Sequence, residues 1–195
     1  MLHPEPSLQK SSSSPVQEVG RSWDEAAPRL IVVLGVCGCG KSTLGASLAK
    51  HLKKPFLDGD DFHPAENKEK MLQGTPLNDA DRWRWLDALA RSLATQGREA
   101  GLAVAACSAL RRVYRERLVA VAAEPILFVM LNGSSELIAQ RLASRTGHFM
   151  PATMLQSQLA ILEPPQADEQ AITLDISQSV PFMVRQVHDH LFARR

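Results

Sequence analysis

The run Gly35-Val36-Cys37-Gly38-Cys39-Gly40-Lys41-Ser42 narrows the choice of fold more than any other part of this chain. It fits the spacing G-x-x-x-x-G-K-S of a phosphate-binding loop. The apolar run Leu30-Ile31-Val32-Val33-Leu34 precedes it and reads as a buried strand. Leu44, Leu48 and Leu52 follow at helical spacing and give one apolar face. A strand, a glycine-rich loop and a helix form the context in which such a loop binds instead of merely turning. Glycines let successive backbone N–H groups converge on phosphate oxygens, and the helix start adds partial positive charge. Gly35, Val36, Cys37, Gly38, Cys39, Gly40, Lys41, Ser42 and Thr43 are therefore the expected nucleotide-binding set. Lys41 is expected to reach the β- and γ-phosphates of ATP, and the Ser42 hydroxyl to ligate Mg2+.

The rest of the chain suits one α/β domain. Its 195 residues, 45% hydrophobic and 22% charged, are enough for a single core. A net charge of +1 gives no electrostatic footprint for nucleic acid. No apolar run approaches bilayer length, so no membrane partner is expected either. Three cysteines argue against a disulfide framework and for a reducing compartment. The Cys37-x-Cys39 spacing is not that of a zinc pair. Residues 1–28 carry four prolines and the run Ser11-Ser12-Ser13-Ser14, and read as a disordered tail without a targeting signature. A cytoplasmic protein with one domain at 29–195 is the expectation.

Strands are predicted at 30–34, 55–58, 102–107, 126–131 and 171–176. Helices are predicted at 41–53, 79–96, 111–122, 135–144, 152–163 and 180–193. Asn78 reads as the cap of the second of these helices, and Gly97 as the residue just past its end. The alternation predicts a parallel five-stranded sheet with helices on both faces, and ligands at the carboxyl ends of the strands.

The acidic partner of the metal distinguishes classes of phosphate-loop protein. Strand 102–107 ends in Cys107-Ser108 and strand 126–131 is followed by Asn132, so neither supplies a carboxylate. The carboxylates come early, at Asp58-Gly59-Asp60-Asp61. This placement resembles small-molecule kinases, not motor or AAA-type ATPases. Asp58 is expected to hold a water on Mg2+, and Asp60 to take a hydrogen bond from the attacking hydroxyl. The bland alternative is a solvated acidic turn.

The motif Asp58-Gly59-Asp60-Asp61-Phe62-His63-Pro64, with Asn67, Lys70-Met71, Pro76-Leu77-Asn78-Asp79 and Asp81-Arg82, resembles the substrate side of phosphate-loop gluconokinases. Cys107-Ser108-Ala109-Leu110-Arg111 and Tyr114-Arg115 are similar to the third-strand segment of that family. Arg141, Arg145, Gly147-His148-Phe149-Met150-Pro151 and Ser157-Gln158 are similar to its lid and the helix that follows. The resemblance implies a three-layer P-loop kinase fold with a small lid, a homodimer, and transfer of the ATP γ-phosphoryl to the 6-hydroxyl of D-gluconate. It implies Lys41, Asp58, Asp60, Arg141 and Arg145 as catalytic residues. Asp60, His63, Asn67, Arg82, Arg111, Arg115, His148 and Gln158 are then the substrate set, and an adenine shelf lies near Pro164-Pro165-Gln166-Ala167.

The chemistry is consistent with that substrate. A linear polyol needs donors and acceptors along its hydroxyls, which Asp60, His63 and Asn67 offer. Its carboxylate needs cationic donors, and Arg82, Arg111 and Arg115 are equivalent candidates at this level. His63 and His148 could equally be caps or packed imidazoles. Arg141 and Arg145 lie one turn apart and could close over a triphosphate or remain solvated. Trp83 and Trp85 read as packing residues.

Several positions depart from the family pattern. Cys37 and Cys39 stand where serine is common. A thiol at a helix start beside Lys41 is expected to have a lowered pKa and to make nucleotide binding redox-sensitive; the alternative is two small buried side chains of no consequence. Arg111 replaces the more usual lysine, Arg84 a proline, and Lys68 an apolar residue. A kinase for another small acid such as shikimate, and a nucleotide-binding regulatory module without catalysis, are the competing functions.

Overall fold

The computed structural model describes residues 28–144 and 152–192. The expected tail and the segment containing Arg145, Gly147 and His148 lie outside the described residues. Thirteen elements follow in order: β1 (Leu30–Leu34), α1 (Lys41–Leu52), β2 (Phe56–Asp58), a 3₁₀ turn (Gly59–Phe62), α2 (Ala65–Leu72), α3 (Asp79–Ala100), β3 (Ala103–Ala106), α4 (Arg112–Ala122), β4 (Ile126–Asn132), α5 (Ser135–Ala143), α6 (Ala152–Ile161), β5 (Ala171–Asp175) and α7 (Val180–Phe192). The five strands form one sheet in the order β2-β3-β1-β4-β5, and every neighbouring pair is parallel.

β1 lies at the centre, and all five of its residues are fully buried. Its alternating side chains divide the core. Ile31 and Val33 meet Leu44 and Leu48 of α1 and Met183, Val184 and Val187 of α7. Leu30, Val32 and Leu34 meet Leu86, Leu89 and Leu93 of α3 and Leu118 of α4. Apolar side chains on both faces explain why the strand reads as a continuous apolar run.

Two local readings need correction. α3 does not stop before Gly97 but continues to Ala100, and Gly101, at φ +79°, is the residue that caps it. A Cβ at Gly97 would lie 2.3 Å from Leu30 Cδ2, so glycine is there to let the helix approach the strand. The second omission is α2, which carries Asn67 and is preceded by the 3₁₀ turn. Its eight residues, AENKEKML, are half charged and have little apolar periodicity to announce a helix. Asn78 caps α3 as expected. Its side chain accepts from the Asp81 N–H, while Asp81 accepts from the Asn78 N–H.

Candidate active site at the carboxyl ends of the strands

The phosphate loop joins β1 to α1. Gly38 and Gly40 take positive φ values of +79° and +101°, which open the loop as the motif requires. Lys41 folds back, and its Nζ donates to the Val36 carbonyl at 3.0 Å. Ser42 and Thr43 follow in the first turn of α1.

The acidic turn begins where β2 ends. Asp58 accepts a hydrogen bond from the Asp60 N–H at 3.1 Å and so caps the 3₁₀ turn. Gly59 is pressed against the neighbouring strand end: a Cβ there would lie 2.5 Å from the Ala106 carbonyl oxygen. A larger residue would push the two aspartates out of place. The loop reaches the same strand end: the Gly35 N–H donates to the Ser108 carbonyl at 3.4 Å, just past Cys107 at the end of β3. Burial pushes the Cys107 thiol up to about 12, which makes it inert at neutral pH.

His63 and Asn67 form a buried polar wall beside this turn. The His63 ring stacks on Trp85 with centroids 4.1 Å apart. Burial, with the charges of Lys68 and Arg82, pushes its pKa down to about 4, so the ring is neutral. Its Nδ1 lies 3.5 Å from Asn67 Nδ2 and accepts there. Asn67 Nδ2 also donates to the Asp81 carbonyl at 2.8 Å, and Lys70 pairs with the Asp81 carboxylate at 2.7 Å. These contacts clamp α2 to the start of α3. Trp85 has a role that its reading as packing missed: its Nε1–H donates to the Gly59 carbonyl at 2.6 Å and anchors the acidic turn.

The three candidate arginines separate clearly. Arg82 and Arg111 flank the Tyr114 ring, with guanidinium carbons 5.4 and 5.5 Å from its centroid. Asp79 is their common partner, at 3.5 Å from Arg82 and 2.9 Å from Arg111, and it also accepts from the Tyr114 hydroxyl. The Tyr114 bond, with the two guanidinium charges, holds the Asp79 carboxyl below the usual carboxylate range. Arg115 is different. It is 1% exposed, forms a two-pronged pair with Glu169, and donates to the carbonyls of Ala109, Leu110 and Glu163. Its guanidinium, expected to bind substrate, is engaged here with Glu169 and three backbone carbonyls.

Arg141 lies against the phosphate loop, where its guanidinium donates to the carbonyls of Cys39 at 3.4 Å and Ile176 at 2.6 Å. Gln158, expected beside the substrate, instead accepts from the Cys37 N–H at 2.6 Å. The segment 164–167, expected as an adenine shelf, lies beside the start of α4. Gln166 is tied there to Glu169, the partner of Arg115. The expected activation of the thiols is also corrected. Cys37 and Cys39 are buried, and desolvation raises both pKa values despite the opposing charge of Lys41.

Among known proteins, the family described as an AAA domain matches residues 30–165. That match is at odds with the expectation that set AAA-type ATPases aside; what holds of that expectation is that β3 and β4 end without a carboxylate. A gluconokinase of Gluconobacter oxydans (strain 621H) is 48% identical over 145 residues, covering 74% of this chain and 81% of that protein. The thermosensitive gluconokinase of Escherichia coli (strain K12) is 40% identical, covering 84% of this chain and 88% of its own length. The crystal structure of a gluconokinase from Sinorhizobium meliloti 1021 superposes with a TM-score of 0.75 at 42% identity, covering 84% of this chain and 91% of that one. A phosphate loop and an acidic turn at the same end of the sheet, and this likeness over most of the length of each relative, lead to one conclusion: the chain belongs to the gluconokinase family of phosphate-loop kinases.

Proposed function

We propose that the chain transfers the γ-phosphoryl group of ATP to the 6-hydroxyl of D-gluconate, giving 6-phospho-D-gluconate, with residues 29–195 as the catalytic domain. The observation that carries this reading is that the phosphate loop and the Asp58–Asp60 turn both pack against the end of β3, the Gly35 N–H donating to the Ser108 carbonyl at 3.4 Å and Gly59 lying against the Ala106 carbonyl. A phosphate donor site thereby adjoins a carboxylate able to receive a hydroxyl proton. Lys41 and the loop amides hold the transferring phosphates. Asp60 orients the attacking hydroxyl and takes its proton. His63 and Asn67 contact the polyol hydroxyls. The neutral His63 ring has its Nδ1 against Asn67, which leaves Nε2 as the protonated nitrogen and a donor. Arg82 and Arg111 receive the carboxylate, Arg111 being the more exposed of the two.

The donor set also suits Mg2+, a hard cation that prefers oxygen ligands. Ser42 offers a hydroxyl in the first turn of α1, and Asp58 a carboxylate through an outer water. When bound, the ion neutralises charge on the phosphates. Arg141 stands beside the loop to add positive charge, and Arg145 is assigned the same task from the sequence alone. We take the working unit to be a cytoplasmic homodimer, which light scattering at twice the chain mass would support.

ADP release with Mg-ATP, measured for D-gluconate beside shikimate, gluconate isomers and nucleoside monophosphates, tests the substrate. Selective release with D-gluconate is expected. Release with a different acceptor moves the substrate, and no acceptor dependence points to the regulatory module.

A further inference from the structure

The Val36–Cys37 peptide unit is held from both sides. Its carbonyl accepts from Lys41 Nζ at 3.0 Å, and its N–H donates to Gln158 Oε1 at 2.6 Å, across 121 residues of sequence. Both donors, the ammonium and the loop amide, are of the kind that phosphate oxygens recruit. Here each rests on an acceptor supplied by the protein itself. Lys41 is the loop residue that reaches the terminal phosphates, and it rests on the same peptide unit. The Cys37 N–H points from the opposite side of that unit, within the same turn of the loop.

From this arrangement we infer that the Gln158 carboxamide oxygen stands in for an oxygen of the terminal phosphate. This rests on the reading of the loop as an ATP site. A phosphate oxygen is charged and accepts more strongly than a neutral amide, so ATP displaces Gln158 and frees α6 from the loop. ADP lacks the competing group and leaves the contact in place. After transfer, Gln158 recaptures the Cys37 N–H without altering the affinity for ADP. Gln158 is thus a positioning residue that discriminates the nucleotide before and after reaction, acting through the loop and not on gluconate.

Calorimetric titration of the full chain with Mg2+ and either AMP-PNP or ADP tests this, in wild type and in Gln158→Leu and Gln158→Glu. Removing the competing acceptor in Gln158→Leu is expected to tighten AMP-PNP about fivefold, the size of one net hydrogen bond, with ADP unchanged. In Gln158→Glu the carboxylate binds the amide more strongly and repels the terminal phosphate, so AMP-PNP weakens about tenfold with ADP again unchanged. The opposite signs separate this role from a loss of folding, which would move both variants alike. Equal shifts for the two nucleotides, no shift in either variant, or weaker AMP-PNP binding in Gln158→Leu would each overturn the inference. Wild-type binding of AMP-PNP in the same titration tests the ATP reading on its own, so failure of one is not failure of the other.

Discussion

The phosphate loop and the proposed acceptor wall both stand at the carboxyl ends of the strands, yet they are built from different material. The loop works through its backbone: N–H groups, positive φ at Gly38 and Gly40, and one lysine. The wall works through side chains that other side chains hold in place, such as His63 on Trp85, Asn67 on Asp81, and Arg111 on Asp79. A backbone-built site tolerates side-chain changes, which is why cysteines can occupy positions 37 and 39. A site built from side chains has no such tolerance, and its specificity depends on supports several residues away.

That contrast can be broken at several points. The largest effect is expected for Asp60→Asn, which removes the proposed proton acceptor and lowers kcat roughly 10³-fold, about 4 kcal/mol of barrier. AMP-PNP affinity should stay within about twofold of wild type, since a neutral isostere leaves the loop intact. Steady-state kinetics and a nucleotide titration read the two halves separately.

Arg115→Met tests the assignment of that residue to the scaffold. Glu169 would be left without its partner in a nearly dry site, its side chain being 9% exposed. Urea denaturation should show a loss of about 3 kcal/mol or more. The gluconate KM of the folded enzyme should hold. A raised KM without loss of stability would return Arg115 to the pocket.

The wall also has a pH signature. The His63 pKa is depressed to about 4, so between the ordinary value of 6.5 and 4 the unfolded chain binds a proton that the folded chain does not. Stability should therefore fall as pH drops through that window, by roughly 3 kcal/mol, and this contribution should flatten below it. His63→Gln should remove that part of the slope in denaturation curves measured from pH 7 to pH 4.

Arg111→Ala should raise the gluconate KM about tenfold, as expected for a charge-assisted contact made in both ground and transition states. Its partly exposed pair with Asp79 contributes little to folding, so stability should change by less than about 1 kcal/mol. The smallest effect is expected for Cys37→Ser, at less than about 0.5 kcal/mol in ATP affinity. Peroxide at neutral pH should leave wild-type activity unchanged, because the buried thiols have raised pKa values.

What the sequence makes legible follows the same division. The loop, the parallel order and the central strand could be read because a backbone motif and a doubly apolar run leave local signatures. The acidic turn could be read too, since Asp58 and Asp60 are spaced by a glycine that packing against Ala106 demands. The separation of Arg115 from Arg82 and Arg111 could not. It depends on Glu169, which lies 54 residues away and belongs to no motif. Gly97 was misread because a glycine chosen for close packing looks the same as one chosen to end a helix. The thiols were misread because proximity to Lys41 is visible in sequence while burial is not. Gln158 is an intermediate case: the resemblance singles it out as a site candidate, but its contact with Cys37 has no local signature.

The most direct test of the account is the product itself. Phosphorus NMR of a reaction containing Mg-ATP and D-gluconate should show one 6-phospho-D-gluconate formed for each ADP, with no inorganic phosphate and no turnover when gluconate is omitted. ADP matched by inorganic phosphate, or a phosphate on another carbon of the sugar acid, would contradict the assignment of Asp60 and of the wall that presents the 6-hydroxyl to it.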